Sequence, residues 1–97
     1  MLFRSENKII NFVGNAEERI IEDPLRILRA FRFMSRLGFS LSEDTIEAIK
    51  KQKNLLTSIP EERITTEFSK LLLGENVKNA LTAMKDTGVL EIGRAHV

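Results

Sequence analysis

The chain has no cysteine, which excludes disulfides, cysteine-ligated zinc and thiol catalysis together. No apolar run approaches the ~18 residues of a membrane-spanning helix, and no basic stretch leads into an apolar segment at the start. Neither a membrane partner nor a secretory leader is therefore expected, and a cytoplasmic setting fits. An excess of one charge is missing as well. Fifteen Lys and Arg against 14 Asp and Glu leave a net charge of +1, which excludes a globally basic nucleic-acid binder. Any attraction for a polyanion has to come from local asymmetry. Histidine occurs once, at His96, a poor ligand candidate so near the C-terminus. Aspartate occurs only at Asp23, Asp44 and Asp86, no two of them close in sequence, so no metal ligands are expected. There is no internal repeat, no low-complexity tract, and no stretch that alternates well enough to build a sheet.

What is present suits one small helical domain: 97 residues with 42% hydrophobic content allow a limited core. Asn15 is placed to cap a short helix with Glu17 and Glu18 in its first turn. Asp23 as N-cap and Pro24 at the first helical position start a second helix, which Gly38 closes. Leu41-Ser42 opens a third over about residues 43–53, with Ile46 and Ile49 apolar and Lys50, Lys51 and Lys53 near its end. Ser58-Ile-Pro-Glu61 reads as a capping box that opens a fourth helix, running to Leu73 and stopped by Gly74. Its apolar set is Ile64, Phe68, Leu71 and Leu72. A fifth, over about 76–86, groups Val77, Ala80, Leu81 and Met84 and ends at Gly88. The expected fold is an all-α array of about five helices, packed around the apolar side of residues 25–37.

That second helix carries the most information. Arginines fall at Arg26, Arg29, Arg32 and Arg36 with no acid after Asp23. At about 100° per residue all four share one third of the circumference. Leu37, Ala30, Met34, Ile27, Phe31 and Leu28 sweep the other side. Two readings stand at this point. A cap alone accounts for Asp23, and a solvated face accounts for the arginines. Alternatively, the guanidinium face binds bases or phosphates. The exclusive use of arginine, suited to planar bidentate recognition, favours a ligand. So do Leu25 and Phe33, which sit inside the arginine arc and keep it from being a purely wet face. Phe31, Phe33, Phe39 and Phe68 read as core, with Phe33 the position to watch.

EDPLRILRAFRF followed by RLGF resembles the nucleotide-selecting segment of bacterial-type (class II) tRNA nucleotidyltransferases and poly(A) polymerases, the CCA-adding enzyme family. The resemblance continues through SLSEDTIEAIKK, SIPEERITTEFSKLLLG and NALTAMKDTGVLE, and so covers about residues 7–91. It implies a protein template for the incoming nucleotide. Glu22 would orient its neighbours, while Asp23 and Arg26 would hydrogen-bond the edge of cytosine or adenine. The residue types suit this, since a carboxylate accepts from an exocyclic amino group and a guanidinium donates to ring acceptors. Arg29 and Arg32 match positions that hold the nucleotide. Arg36 lies on the same face and stays outside the core set. The segment containing Glu61, Glu62 and Arg63 would brace this helix, with an ion pair from Glu62 or Glu67 to one of its arginines, although a solvated surface accounts for these charges too. The lysines at 50, 51 and 53 fit either a contact with tRNA backbone or an ordinary soluble helix end.

The family's catalytic head, with its Gly-Ser pair, Asp-x-Asp metal ligands and Arg-Arg-Asp motif, has no counterpart here. No catalytic residue is assigned, and the chain alone is expected to be inactive. Mg²⁺ would belong to the parent enzyme, as would transfer from CTP and ATP to a tRNA 3′ end. Residues 6–14, including the β-branched KIINFVG, would be the exit from that head, here an orphan strand or loose lead-in, and residues 15–91 the helical neck. LFRS at 2–5 and IGRAHV at 92–97 do not continue the pattern. Both resemble translated sequencing-adapter ends, so residues 1–5 and 92–97 are expected to be non-native, and Met1, Arg94 and His96 to carry no meaning. Poly(A) addition is the alternative within the family, and a stand-alone helical RNA-binding module the alternative outside it.

Overall fold

The computed structural model describes residues 3–95, with side-chain surroundings through residue 92. Met1 and His96 lie outside the described residues, as does the side chain of Arg94. Six helices dominate: α1 (Ala16–Glu22), α2 (Arg26–Leu37), α3 (Glu43–Gln52), α4 (Glu61–Leu72), α5 (Val77–Thr87) and α6 (Val89–Ala95). A 3-10 segment, Lys53–Ser58, links α3 to α4. Strands β1 (Phe3–Glu6), β2 (Ile9–Phe12) and β3 (Ser40–Leu41) complete the fold.

Several helix ends form where the residue types demand. Asn15 accepts the Glu18 N–H at 3.0 Å, and Ser42 accepts the Thr45 N–H at 3.2 Å. Such a cap satisfies an otherwise orphaned N-terminal donor. Gly38, at φ 73°, terminates α2 in the left-handed conformation that glycine adopts without penalty. The fourth helix begins differently from the expected capping box. Ser58 Oγ donates instead to the Leu55 carbonyl at 2.7 Å, inside the 3-10 segment, and Pro60 takes the cap position.

Two further expectations are corrected. The N-terminal segment is neither orphaned nor loose: β2 pairs antiparallel with β1, Phe3 opposite Phe12, and parallel with β3, Ile10 opposite Leu41. Asn7 and Lys8 turn the hairpin with φ of 52° and 63°. That two-residue geometry usually advertises itself by a glycine, absent here. The pairing gives Phe3 a place in the core, its ring 4.6 Å from Phe12 and 5.2 Å from Phe33. Helix α6 was also not expected; it restarts directly after Gly88, whose φ of 85° closes α5.

The core centres on the apolar side of α2, where Ile27, Leu28, Ala30 and Phe31 are buried with Ile20, Ile49, Leu71, Ala80 and Met84. At about 1.5–3 kcal/mol for each fully buried large side chain, this side is what fixes α2 in the molecule. Leu37 and Leu72 depart from their expected inward places and are largely exposed. Leu37 lies beyond Ser35, the last buried residue of α2, and Leu72 is turned about 100° away from the buried Leu71. Ser35, a polar residue on the apolar side, is fully buried and donates from Oγ to the Leu71 carbonyl. Its own carbonyl accepts the Asn76 N–H at 2.8 Å. A side chain on Gly74 would place Cβ 2.1 Å from Ser35 Oγ, so glycine is what lets α4 end this close to α2.

Candidate nucleotide-binding site

The corner between α1 and α2 is made by Asp23-Pro24. Asp23 is extended, φ −152° and ψ 98°, as the residue before a proline prefers. Its Oδ1 accepts the Leu25 N–H at 3.2 Å, which braces the turn before the helix. The expected cap does not form, since Leu25 takes the cap position of α2 without a side-chain hydrogen bond. Regular α-helix starts two residues later than expected, at Arg26, after a tight turn in which Arg26 and Ile27 donate to the carbonyls of Asp23 and Pro24. The other carboxylate oxygen, Oδ2, lies 3.6 Å from Arg63 Nη2 on α4. Both oxygens of Asp23 thus have protein partners while the side chain stays partly exposed.

Arg26 is held just as deliberately. Its Nη1 donates to the Arg19 carbonyl at 2.9 Å and to Glu22 Oε1 at 3.3 Å. Glu22 also accepts from Arg19 Nη1 through both oxygens, at 2.8 and 3.1 Å. The Arg19 hydrogen bond, opposed by some desolvation and helped by the charges of Arg19 and Arg26, holds the Glu22 carboxyl below its ordinary pKa. Glu22 therefore stays an anion and fixes two guanidiniums. Arg26 Nε is buried without a hydrogen-bond partner.

Further along α2, Arg29 Nε and Arg32 Nη1 donate to the two oxygens of a single carboxylate, Glu67 on α4, at 3.3 and 3.0 Å. The Glu67 side chain is only 7% exposed, and two cations compensate its burial. Of the two acids expected to brace this helix, Glu67 does so. Glu62 instead lines an open cleft of about 340 Å³ with Leu25, Arg29, Arg63, Thr66 and Glu67. Arg36 stands apart, exposed near the far end of the helix. Phe33 packs against Phe3, a structural partner rather than a free stacking surface.

The structure thus brings Glu22, Asp23 and Arg26 together at one corner and places Arg29 and Arg32 along the same α2–α4 seam. Two residues that matter here were not among the expected set. Arg19 sits three residues before Glu22, a spacing that could have flagged it. Arg63 reaches Asp23 across 40 residues of sequence, and nothing local announces that.

Residues 38–92 match the family model described as "Probable RNA and SrmB- binding site of polymerase A". The chain belongs to the tRNA nucleotidyltransferase and poly(A) polymerase family. It is 50% identical over 86 residues to a CCA-adding enzyme of Bacillus subtilis, covering 89% of this chain and 22% of that protein. A CCA-adding enzyme of Ligilactobacillus salivarius is 52% identical over 82 residues, covering 84% of this chain and 20% of its own length. The crystal structure of the Bacillus stearothermophilus CCA-adding enzyme in complex with CTP superposes with a TM-score of 0.82 at 48% identity. That match covers 84% of this chain and 21% of the solved one. The chain spans about a fifth of the length of the relatives it matches.

Proposed function

We propose that this chain is the nucleotide-selecting and RNA-contacting neck of an enzyme that adds CCA to tRNA 3′ ends from CTP and ATP. The observation that carries the reading is the α1–α2 corner, where an acceptor, Asp23, and a donor, Arg26, are three residues apart and each is pre-oriented by fixed partners. Asp23 would accept from the exocyclic amino group of cytosine or adenine, and Arg26 would donate to a ring acceptor beside it. Uracil, with a carbonyl where cytosine has its amino group, would set oxygen against oxygen at Asp23. Preorganisation of both groups lowers the cost of ordering them around a base. Arg29 and Arg32, tied to Glu67, would hold the rest of the nucleotide.

The same reading assigns residues 15–91 to the neck and residues 6–14 to the exit from a catalytic head outside this chain. Mg²⁺ would belong to that head. Among the described residues no three His, Cys, Asp or Glu side chains lie together to hold a metal ion, so no metal-dependent step is placed on this chain.

The test is a hybrid in which this segment replaces the corresponding 86 residues of the Bacillus subtilis enzyme. The hybrid is expected to complete CCA ends. Asp23→Ala or Arg26→Ala within it should cut the preference for CTP over UTP by about 10- to 100-fold, the worth of a hydrogen bond to a charged group, while the thermal melt stays cooperative. Undiminished discrimination would overturn the proposal. The family description names polymerase A, which keeps poly(A) addition as a second reading; a hybrid that adds long adenosine runs from ATP alone would favour it.

A further inference from the structure

The arginine row does not end at the Glu67 clamp. One turn beyond Arg32, Arg36 and Lys70 line a separate open cleft of about 290 Å³ together with Arg32, Leu73 and Gly74. No acid lines it. Neither Arg36 nor Lys70 forms an ion pair with a described residue, whereas every other arginine of α2 does. The two cations come from different helices, α2 and α4, and the Ser35–Leu71 hydrogen bond locks those helices together at this level. The backbone positions that carry them are therefore set by the fold. Leu73 adds an apolar surface at the cleft, 85% exposed and the most exposed large hydrophobic side chain among the described residues.

We infer that this cleft seats the sugar-phosphate backbone of an RNA strand, with Arg36 and Lys70 on phosphate oxygens and Leu73 against a ribose or base face. Paired cations beside an apolar surface match the alternation of anion and ring that a single strand presents. A nucleoside triphosphate is the other source of phosphate. It fits less well, because Arg36 stands ten residues, about 15 Å of helix, from Arg26, and the neutralising Glu67 clamp lies between them. The inference takes the class of its partner from the function proposed above. Its readout is RNA affinity rather than nucleotide choice, so each can fail without the other.

The test uses the 97-residue chain and a fluorescein-labelled tRNA acceptor-stem hairpin with a single-stranded 3′ end, read by anisotropy across a series of NaCl concentrations. Arg36→Gln with Lys70→Gln should weaken binding severalfold and lower the slope of log affinity against log salt by about 1.4 to 1.8, the release expected for two phosphate contacts. Leu73→Ser should weaken binding with an unchanged slope, since an apolar contact releases no counterions. Exposed Lys78 and Lys85 on α5, replaced by Gln as a charge-matched control, should leave the slope nearly as it was. An equal loss in that control would mean diffuse attraction and overturn the site. Unchanged RNA affinity in the Arg36/Lys70 variant, or no measurable RNA binding by the unaltered chain, would overturn it too. So would a loss of CTP affinity that the RNA does not share, which would hand the cleft to the triphosphate.

Discussion

Arg26 is held by groups within two helical turns of it in sequence, while Arg29 and Arg32 are held by a carboxylate 38 and 35 residues away. The same side chain on the same helix face is thus secured in two physically different ways. The Glu22 pairing is half-exposed, local and open to screening by salt, and it forms as soon as the corner folds. The Glu67 pairing is buried on its acidic side and exists only when α4 packs on α2. A local bridge sets the direction of a group at little cost. A long-range buried one ties that direction to the integrity of the whole domain.

The contrast can be broken most forcefully at the clamp. Arg29→Met with Arg32→Met keeps the aliphatic bulk and leaves Glu67 buried without a cation, which should cost about 3 kcal/mol in urea unfolding. A loss below about 1 kcal/mol would show that water reaches Glu67 and that the clamp is no different from a surface pair. Gly74→Ala attacks the same seam sterically. Its Cβ would fall 2.6 Å from the Ser35 carbonyl oxygen as well as on Oγ, so α2 and α4 must part. About 2 kcal/mol should be lost, together with weaker chemical-shift coupling between Arg32 and Glu67. The smallest effect belongs to the corner. Glu22→Gln removes a carboxylate whose pKa lies below the ordinary value. Its contribution is present above the unfolded-state pKa and disappears as pH falls through the lowered folded one. The variant and the unaltered chain should therefore differ slightly at pH 7 and converge in acid. A difference that persisted below the lowered folded pKa as well would mean that Glu22 acts by packing rather than by charge.

Legibility from sequence followed the same division between local and distant. The arginine row, the Asn15 and Ser42 caps and the Gly38 and Gly88 stops all depend on short spacings, and all appear in the fold. The clamp was legible only as a choice between Glu62 and Glu67. Glu67 shares the inward face with Leu71, four residues on, and that phase decides it once the helix is seen packed. The Ser58 capping box failed because α4 starts at Glu61 with Pro60 in the cap position, which leaves Ser58 two residues too early, at the end of the 3-10 segment. The hairpin escaped notice because Asn7 and Lys8 make a left-handed turn without glycine, and because the alternation in four-residue strands is too short to read. The segment holding Arg63 was expected to brace the arginine helix, but the pairing with Asp23 was not legible, since no periodicity links positions on two helices that meet only in space.

Ser35 gives the site a mechanical character. Through its hydroxyl, its carbonyl and the missing side chain of Gly74 it pins α2 to the end of α4 and the start of α5. A seam pinned near one end works as a lever: displacement is least at the pivot and grows with distance from it. The Asp23–Arg63 end lies twelve residues from that pivot along α2 and eight along α4, so any tilt of α4 about it would shift Arg63 against Asp23 far more than Lys70 against Arg36.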